Sequence, residues 1–235
     1  LRGPSLRGLF HTFARALIGP LVNSDVTIMR RAEYLLLGAA GGGDDAYPPT
    51  FRIEDATCPL DLNTEKNLEN CPGRNKGSRA GHSAGQARML RFSPRSWVFT
   101  GGHVGKEEIP PIAQFSEALW AVVWTALSLG SLGNRARRGY GSLAIAGAES
   151  VPDFTVATES RSLSVFKQQP SREQLAVQLQ DGFILAQAVV HAWLTVNRAR
   201  LRKEKESPPK ILALNAAARL EWPFFEIGSP AQIRV

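Results

Sequence analysis

Apolar positions recur at helical spacing in four stretches of the chain. Leu6, Phe10, Phe13 and Leu17 lie three or four residues apart and mark one face of a helix over 6–17. Ser5 just before it suits an N-cap, because its hydroxyl can accept from a free first-turn N–H. Val26 to Leu37 is the second helix, with Ser24-Asp25 as start signal and Gly38 as stop. The third stretch is the most apolar: Ala118 to Leu129 has only Thr125 and Ser128 as polar interruptions, and Trp120 and Trp124 sit one turn apart. A helix apolar nearly all round is buried on most sides, and Gly130 is placed to end it in a left-handed cap. Ser171 with Gln174 forms a capping box for the fourth helix, expected to run to about Leu201. Its buried face is Leu175, Leu179, Phe183, Ala186, Val190 and Trp193, and Pro208-Pro209 stops the pattern.

Strand signals are shorter. Phe51 to Ile53 is one candidate, and Met89 to Thr100 alternates as another, split at Pro94, with Trp97 and Phe99 on one face. Gly101-Gly102 breaks it and Pro110-Pro111 leads into the apolar helix. Phe154 to Val156 and Leu163 to Phe166 are further candidates, and Ile211 to Leu214 and Leu220 to Ile227 are short apolar runs. Residues 54–87 are polar and rich in Asn, Gly, Pro and charge, which predicts a long insertion or loop. The pattern as a whole is α+β.

Charge changes this picture. The formal net charge of the 235 residues is +7, which favours an anionic partner. The excess is +3 over residues 1–43, zero over 44–112, and +2 in each of 113–147 and 148–235. The basic residues therefore concentrate at the ends and just after the apolar helix. There the chain reads Gly130-Ser131-Leu132-Gly133-Asn134-Arg135-Ala136-Arg137-Arg138-Gly139-Tyr140-Gly141-Ser142-Leu143. Gly133, Gly139 and Gly141 let a backbone approach a ligand closely, and Arg135, Arg137 and Arg138 bring forked donors suited to phosphate. Tyr140, between two glycines, is free to present its ring to a base. The alternative is a solvated basic turn; phosphate-backbone binding accounts for the glycines as well as the arginines. No Gly-Lys-Ser/Thr ending is present, and the loop follows a helix rather than a strand, so neither a nucleotide triphosphatase nor a dinucleotide site fits. Arg138-Gly139-Tyr140-Gly141 matches the first half of an RNA-recognition strand signature, with Ser142 where an aromatic is expected. Earlier in the chain, Arg7, His11 and Arg15 share a second face of the first helix. That stripe either lines an RNA groove or is the solvated side of an amphipathic helix.

The apolar Trp-containing helix followed by this glycine–arginine run resembles the glycine-rich loop of the RAMP proteins of CRISPR–Cas systems. Within them it is most similar to the first subunit of the Cmr (type III-B) effector complex, with Ser131 in place of the commoner glycine. The first helix likewise resembles the family motif Arg-Gly-x-Leu-Arg-x-Trp-x-Arg-Ala-Leu, with Arg7, Gly8 and Arg15 in place and Phe10 and His11 departing from it. Gly228-Ser229-Pro230 is similar to a late turn of the family. The resemblance implies a ferredoxin-like (RRM-type) RAMP fold. Residues 1–147 would form a RAMP-type RNA-binding domain with the insertion at 54–87, and 148–235 a helix-rich second part. It also implies a non-catalytic RNA-binding subunit at one end of the effector, near the guide RNA 3′ end. The partners would be CRISPR guide RNA, target RNA and other Cmr/RAMP subunits. Arg135, Arg137, Arg138, Tyr140, Gly133, Gly139, Gly141, Asn134, Arg7, His11 and Arg15 are the expected RNA-binding residues. Exposed Arg7 and Arg15 should be replaceable with little loss of stability. Family members have a strand before the point where Leu1 stands and more chain after Val235, so the sequence is expected to be an incomplete copy, with internal gaps as well.

Catalytic chemistry has little support. His11, His82, His103 and His191 show no metal spacing, and Cys58 and Cys71 each precede a proline and match no redox or zinc pattern. Free thiols in a reducing cytosol, no cofactor and no metal are expected. Asp44-Asp45 and Glu107-Glu108 are adjacent carboxylates, which do not usually converge on one reacting atom. An endoribonuclease using Asp44 or His82, as in some RAMP relatives, and a purely structural cap are the competing readings. No stretch reaches the roughly 20 apolar residues of a spanning helix, so a soluble, cytoplasmic protein without membrane contact is expected.

Overall fold

The structure, a computed structural model, describes residues 3–39, 48–55, 64–65, 81–82, 89–104, 107–131, 154–156, 159–161, 172–201 and 207–214. It is mixed α+β and divides into two compact units: Leu1–Phe51 with Pro94–Val235, and Arg52–Ser93.

The larger unit is built on four helices: α1 (Gly3–Ile18), α2 (Val26–Leu37), α4 (Phe115–Leu129) and α5 (Arg172–Val196), with the short α3 (Ser96–Thr100) before α4. The first helix packs on each of the other three long ones, and α4 lies along α5. Leu6, Phe10, Phe13 and Leu17 are all buried, as their spacing predicts, and so are Phe183, Ala186, Val190 and Trp193 of α5. Full burial of each of the large side chains among them contributes about 1.5–3 kcal/mol. Ser5 is not the N-cap of α1: the helix begins at Gly3, and Pro4 in its first turn has no N–H to leave unsatisfied. The second helix has the expected bounds. Asp25 caps it, its Oδ1 accepting from Thr27 N (2.9 Å) and Ile28 N (3.0 Å), and Gly38 at φ +78° ends it.

Strands occur as four separate two-stranded pairs among the described residues. Strand β1 (Phe51–Asp55) pairs with β4 (Leu90–Pro94). In the smaller unit, β2 (Thr64–Glu65) pairs antiparallel with β3 (Gly81–His82). In the larger unit, β5 (Gly102–Val104) pairs antiparallel with β6 (Glu107–Ile109), and β7 (Phe154–Val156) with β8 (Glu159–Arg161). The expected strand Met89 to Thr100 ends at Pro94, and Ser96–Thr100 is helix. Three contacts favour the helix: Val98 is fully buried, Phe99 stacks edge-on against Phe115 at 6.3 Å, and the Thr100 hydroxyl donates back to Ser96 O. Local alternation is overridden by packing. The candidate strand Leu163 to Phe166 and the capping residue Ser171 lie outside the described residues. The fourth helix ends at Val196, short of Leu201, and a separate 3₁₀ turn carries Arg198–Leu201.

Two glycines fix how α4 is seated. A Cβ on Gly182 of α5 would lie 2.1 Å from Trp124 Cη2, so the bare backbone there is the bed for the indole. Gly130 is not in the left-handed region; at φ −91°, ψ 171° it is extended. A side chain is excluded for another reason, since its Cβ would stand 2.2 Å from Ala126 O and 3.0 Å from Leu9 Cδ1 and Phe13 Cε2.

Candidate nucleic-acid interface

Helical spacing places Arg7, His11 and Arg15 in one row on α1, and the row meets α2. Opposite it stands Glu33, a fully buried carboxylate on α2. Arg15 is bidentate to it, Nε donating to Oε2 at 2.7 Å and Nη2 to Oε1 at 2.8 Å. His11 Nδ1 lies 2.5 Å from Oε1. Burial alone would raise the Glu33 pKa; the hydrogen bonds from His11 and Arg15 and their charges outweigh it, and the net shift is downward. The Glu33 hydrogen bond in turn raises the Arg15 pKa, more than burial lowers it. The carboxylate is thus ionised at neutral pH and acts only as an acceptor, so His11 Nδ1 must carry the hydrogen between them.

Arg7 is engaged elsewhere. Its Nη2 donates to Phe51 O at 2.7 Å, and its guanidinium lies 5.1 Å from the Phe51 ring centroid. Burial, and then the nearby Arg95 charge, lower its pKa. The acceptor belongs to a clamped run: Trp97 Nε1 donates to Pro49 O (3.2 Å), Arg95 N to Thr50 O (2.8 Å) and Arg7 to Phe51 O, while the Thr50 hydroxyl donates to Leu36 O (2.8 Å). Three consecutive carbonyls therefore each accept one bond, and the chain enters the smaller unit directly after them.

The glycine–arginine loop begins where Gly130 abuts Leu9 and Phe13. At 3.6 residues per turn those two side chains point about 180° away from His11 around α1. The loop root and the basic stripe therefore meet the same helix on opposite sides. Gly133, Asn134, Arg135, Arg137, Arg138, Gly139, Tyr140 and Gly141 lie outside the described residues, as do Asp44, Asp45, Cys58 and Cys71. Of the other candidates, His103 and Glu108 are exposed and His191 is half-buried on α5. No group of three or more metal-ligating side chains occurs among the described residues. No helix among them is long and apolar enough to cross a membrane.

Glu33 is the residue that reading the sequence misses. Its signal is a single acid beside Ala32 and one turn from Leu37, on a helix whose other charges are Arg30 and Arg31. A buried acid requires partners, and here they come from His11 and Arg15 on α1.

No family model matches the chain. It is similar to the CRISPR system Cmr subunit Cmr1-1 of Pyrococcus furiosus, with 28% identity over 173 residues, 71% of this chain and 47% of that protein. The chain thus spans about half the length of the curated relative it matches. This homology supports a Cmr/RAMP-like relationship, the one its glycine–arginine loop and first helix point to.

Proposed function

We propose that the protein is a non-catalytic RNA-binding subunit of a type III-B CRISPR effector complex, acting in antiviral defence in the cytoplasm. It sits at one end of the assembly near the guide RNA 3′ end, contacts other Cmr/RAMP subunits and helps capture target RNA. The observation that carries this reading is the similarity to Cmr1-1 along 71% of the chain. The net charge of +7 and the glycine–arginine loop supply the anionic-ligand chemistry. A ferredoxin-like (RRM-type) core over residues 1–147, interrupted by the insertion, and a helix-rich second part over 148–235 belong to the same proposal. Arg135, Arg137, Arg138 and Tyr140 would make the principal RNA contacts, within a loop given close approach by Gly133, Gly139 and Gly141 and supported by Asn134.

The test is the salt dependence of RNA affinity. Three phosphate contacts to single-stranded RNA contribute about 2 to the magnitude of the log–log slope. Between 50 and 200 mM salt, the parent should lose roughly 20-fold more affinity than a variant with Arg135, Arg137 and Arg138 replaced by Ala. Equal slopes would take the loop off the RNA path. RNA cleavage in the absence of metal would replace this reading with the endoribonuclease.

A further inference from the structure

Two arginines of the larger unit are brought together without a carboxylate to share. Arg7 on α1 and Arg95, the residue just before α3, are both seated on the chain entering β1. Arg7 Nη2 donates to Phe51 O at 2.7 Å, and Arg95 N donates to Thr50 O, the carbonyl before it, at 2.8 Å. The ion pairs among the described residues join His11 and Arg15 to Glu33, and Arg52 to Glu54; Arg7 and Arg95 take part in none of them. After burial, the nearby Arg95 charge is what lowers the Arg7 pKa, as expected of like charges held close. Such a pair costs free energy in the free protein and becomes favourable when an anion lies between its members.

The two side chains differ in how firmly they are held. Arg7 is fixed at Nη2 by Phe51 O, and its guanidinium lies 5.1 Å from the centroid of the buried Phe51 ring. One donor of its fork is spent and the others remain. Arg95 is exposed, and its printed bond uses the backbone N–H rather than the guanidinium. A preset donor loses less entropy on binding than a free one. The class of anion follows from the neighbourhood. A phosphodiester can accept from two forks at once. Phe99, 52% exposed, follows Arg95 by one turn and touches Phe115 edge-on, so a ring suited to a base stands beside a seat for its phosphate. An acidic side chain of a protein partner would leave that ring unused. We infer that Arg7 and Arg95 clamp one backbone phosphate of the RNA, Arg7 as the fixed jaw and Arg95 as the jaw that closes on it. The inference rests on the RNA-binding reading above and adds to it a contact outside the glycine–arginine loop.

The experiment uses the full chain and a single-stranded RNA of mixed sequence, with affinity measured across salt concentrations and melting measured alongside. Arg95→Ala and Arg95→Glu are compared with Arg198→Ala, which removes the same charge from an exposed arginine of the 3₁₀ turn. One lost phosphate contact should lower the magnitude of the log–log slope by about 0.7, so between about 50 and 200 mM salt the parent loses roughly 3-fold more affinity than Arg95→Ala. Arg95→Ala should melt at or slightly above the parent, because a repulsion is removed. Arg95→Glu sets a carboxylate where the phosphate would lie; it should also melt at or above the parent, yet bind RNA more weakly than Arg95→Ala. A parental slope in Arg95→Ala overturns the clamp, as does an equal change in Arg198→Ala, which would mark a diffuse field. Lower melting of both Arg95 variants overturns it too, since the charge would then be structural. A poly-glutamate peptide is the second probe: loss of peptide binding in Arg95→Ala with RNA binding intact assigns the pair to an acidic partner instead. A parent that binds no RNA overturns the RNA-binding reading itself, whereas RNA binding indifferent to Arg95 overturns only the clamp.

Discussion

Glu33 sets what can be expected of its neighbours. Removing Arg15 leaves a fully buried carboxylate held by His11 alone, so Arg15→Ala should cost about 1–3 kcal/mol in denaturant unfolding, despite the exposure of the arginine. From the sequence, Arg15 appeared as surface charge replaceable at little cost. The difference arises because its partner stands 18 residues away on another helix, beyond any local pattern. The pH dependence has a definite sign. The folded-state pKa of Glu33 is lowered, so its stabilisation is complete above the unfolded value, about 4.3, and is lost as pH falls through the lower folded value. Glu33→Gln should therefore flatten the acid limb of a stability–pH curve below about pH 4.3; parallel acid limbs would show that the carboxylate is not the titrating group. Tyr140 poses a separate residue-scale choice. As a base platform it should contribute about 1–3 kcal/mol to RNA affinity, retained in Tyr140→Phe and lost in Tyr140→Ala with no change in melting. If Tyr140→Ala lowers melting instead, the ring is a core plug.

At the scale of elements, α4 and α5 are locked by a ring against a bare backbone. Gly182→Ala should destabilise by about 1–3 kcal/mol, because the added methyl displaces the Trp124 indole. In a Trp124→Phe background, where the six-membered outer ring of the indole is gone, the same substitution should cost much less. Additive costs in that double-mutant cycle would mean that the two residues are not in contact. The apolar face of α5 was legible from Phe183 to Trp193 because burial on one side imposes a 3.6-residue period, and the bounds of α2 were legible because Asp25 and Gly38 act on their own helix ends. Residues 96–100 were not legible as helix. Their fold depends on Val98 entering the core and Trp97 reaching Pro49, 48 residues away. Gly130 was placed correctly as the end of α4 but for a different reason: the close approach of the Ala126 carbonyl, with Leu9 and Phe13 beside it, and not a left-handed backbone, excludes a side chain.

At the scale of the whole molecule, the mixed helix-and-strand class followed from periodicity, and the likeness to Cmr1-1 agrees with the family that the loop motif suggests. Motifs carried the family because a dozen consecutive residues suffice for them. The candidate interface was only half legible, since which cations of a stripe are already paired depends on packing between α1 and α2. The carbonyls of Pro49, Thr50 and Phe51 are each tied by a donor from a separate side chain or backbone group, and β1 is paired with β4 where the chain returns. The two ends of the 52–93 segment are therefore fixed independently of what lies between them. Exchanging residues 56–89 for a short Gly-Ser linker should shift the unfolding free energy by only about 1–2 kcal/mol, the difference in loop-closure entropy. Collapse of the helical unit in that variant would show that the segment props up the core. If the unit holds, this junction is a port at which evolution or an engineer can lengthen, shorten or swap a module, leaving the four helices to fold as before.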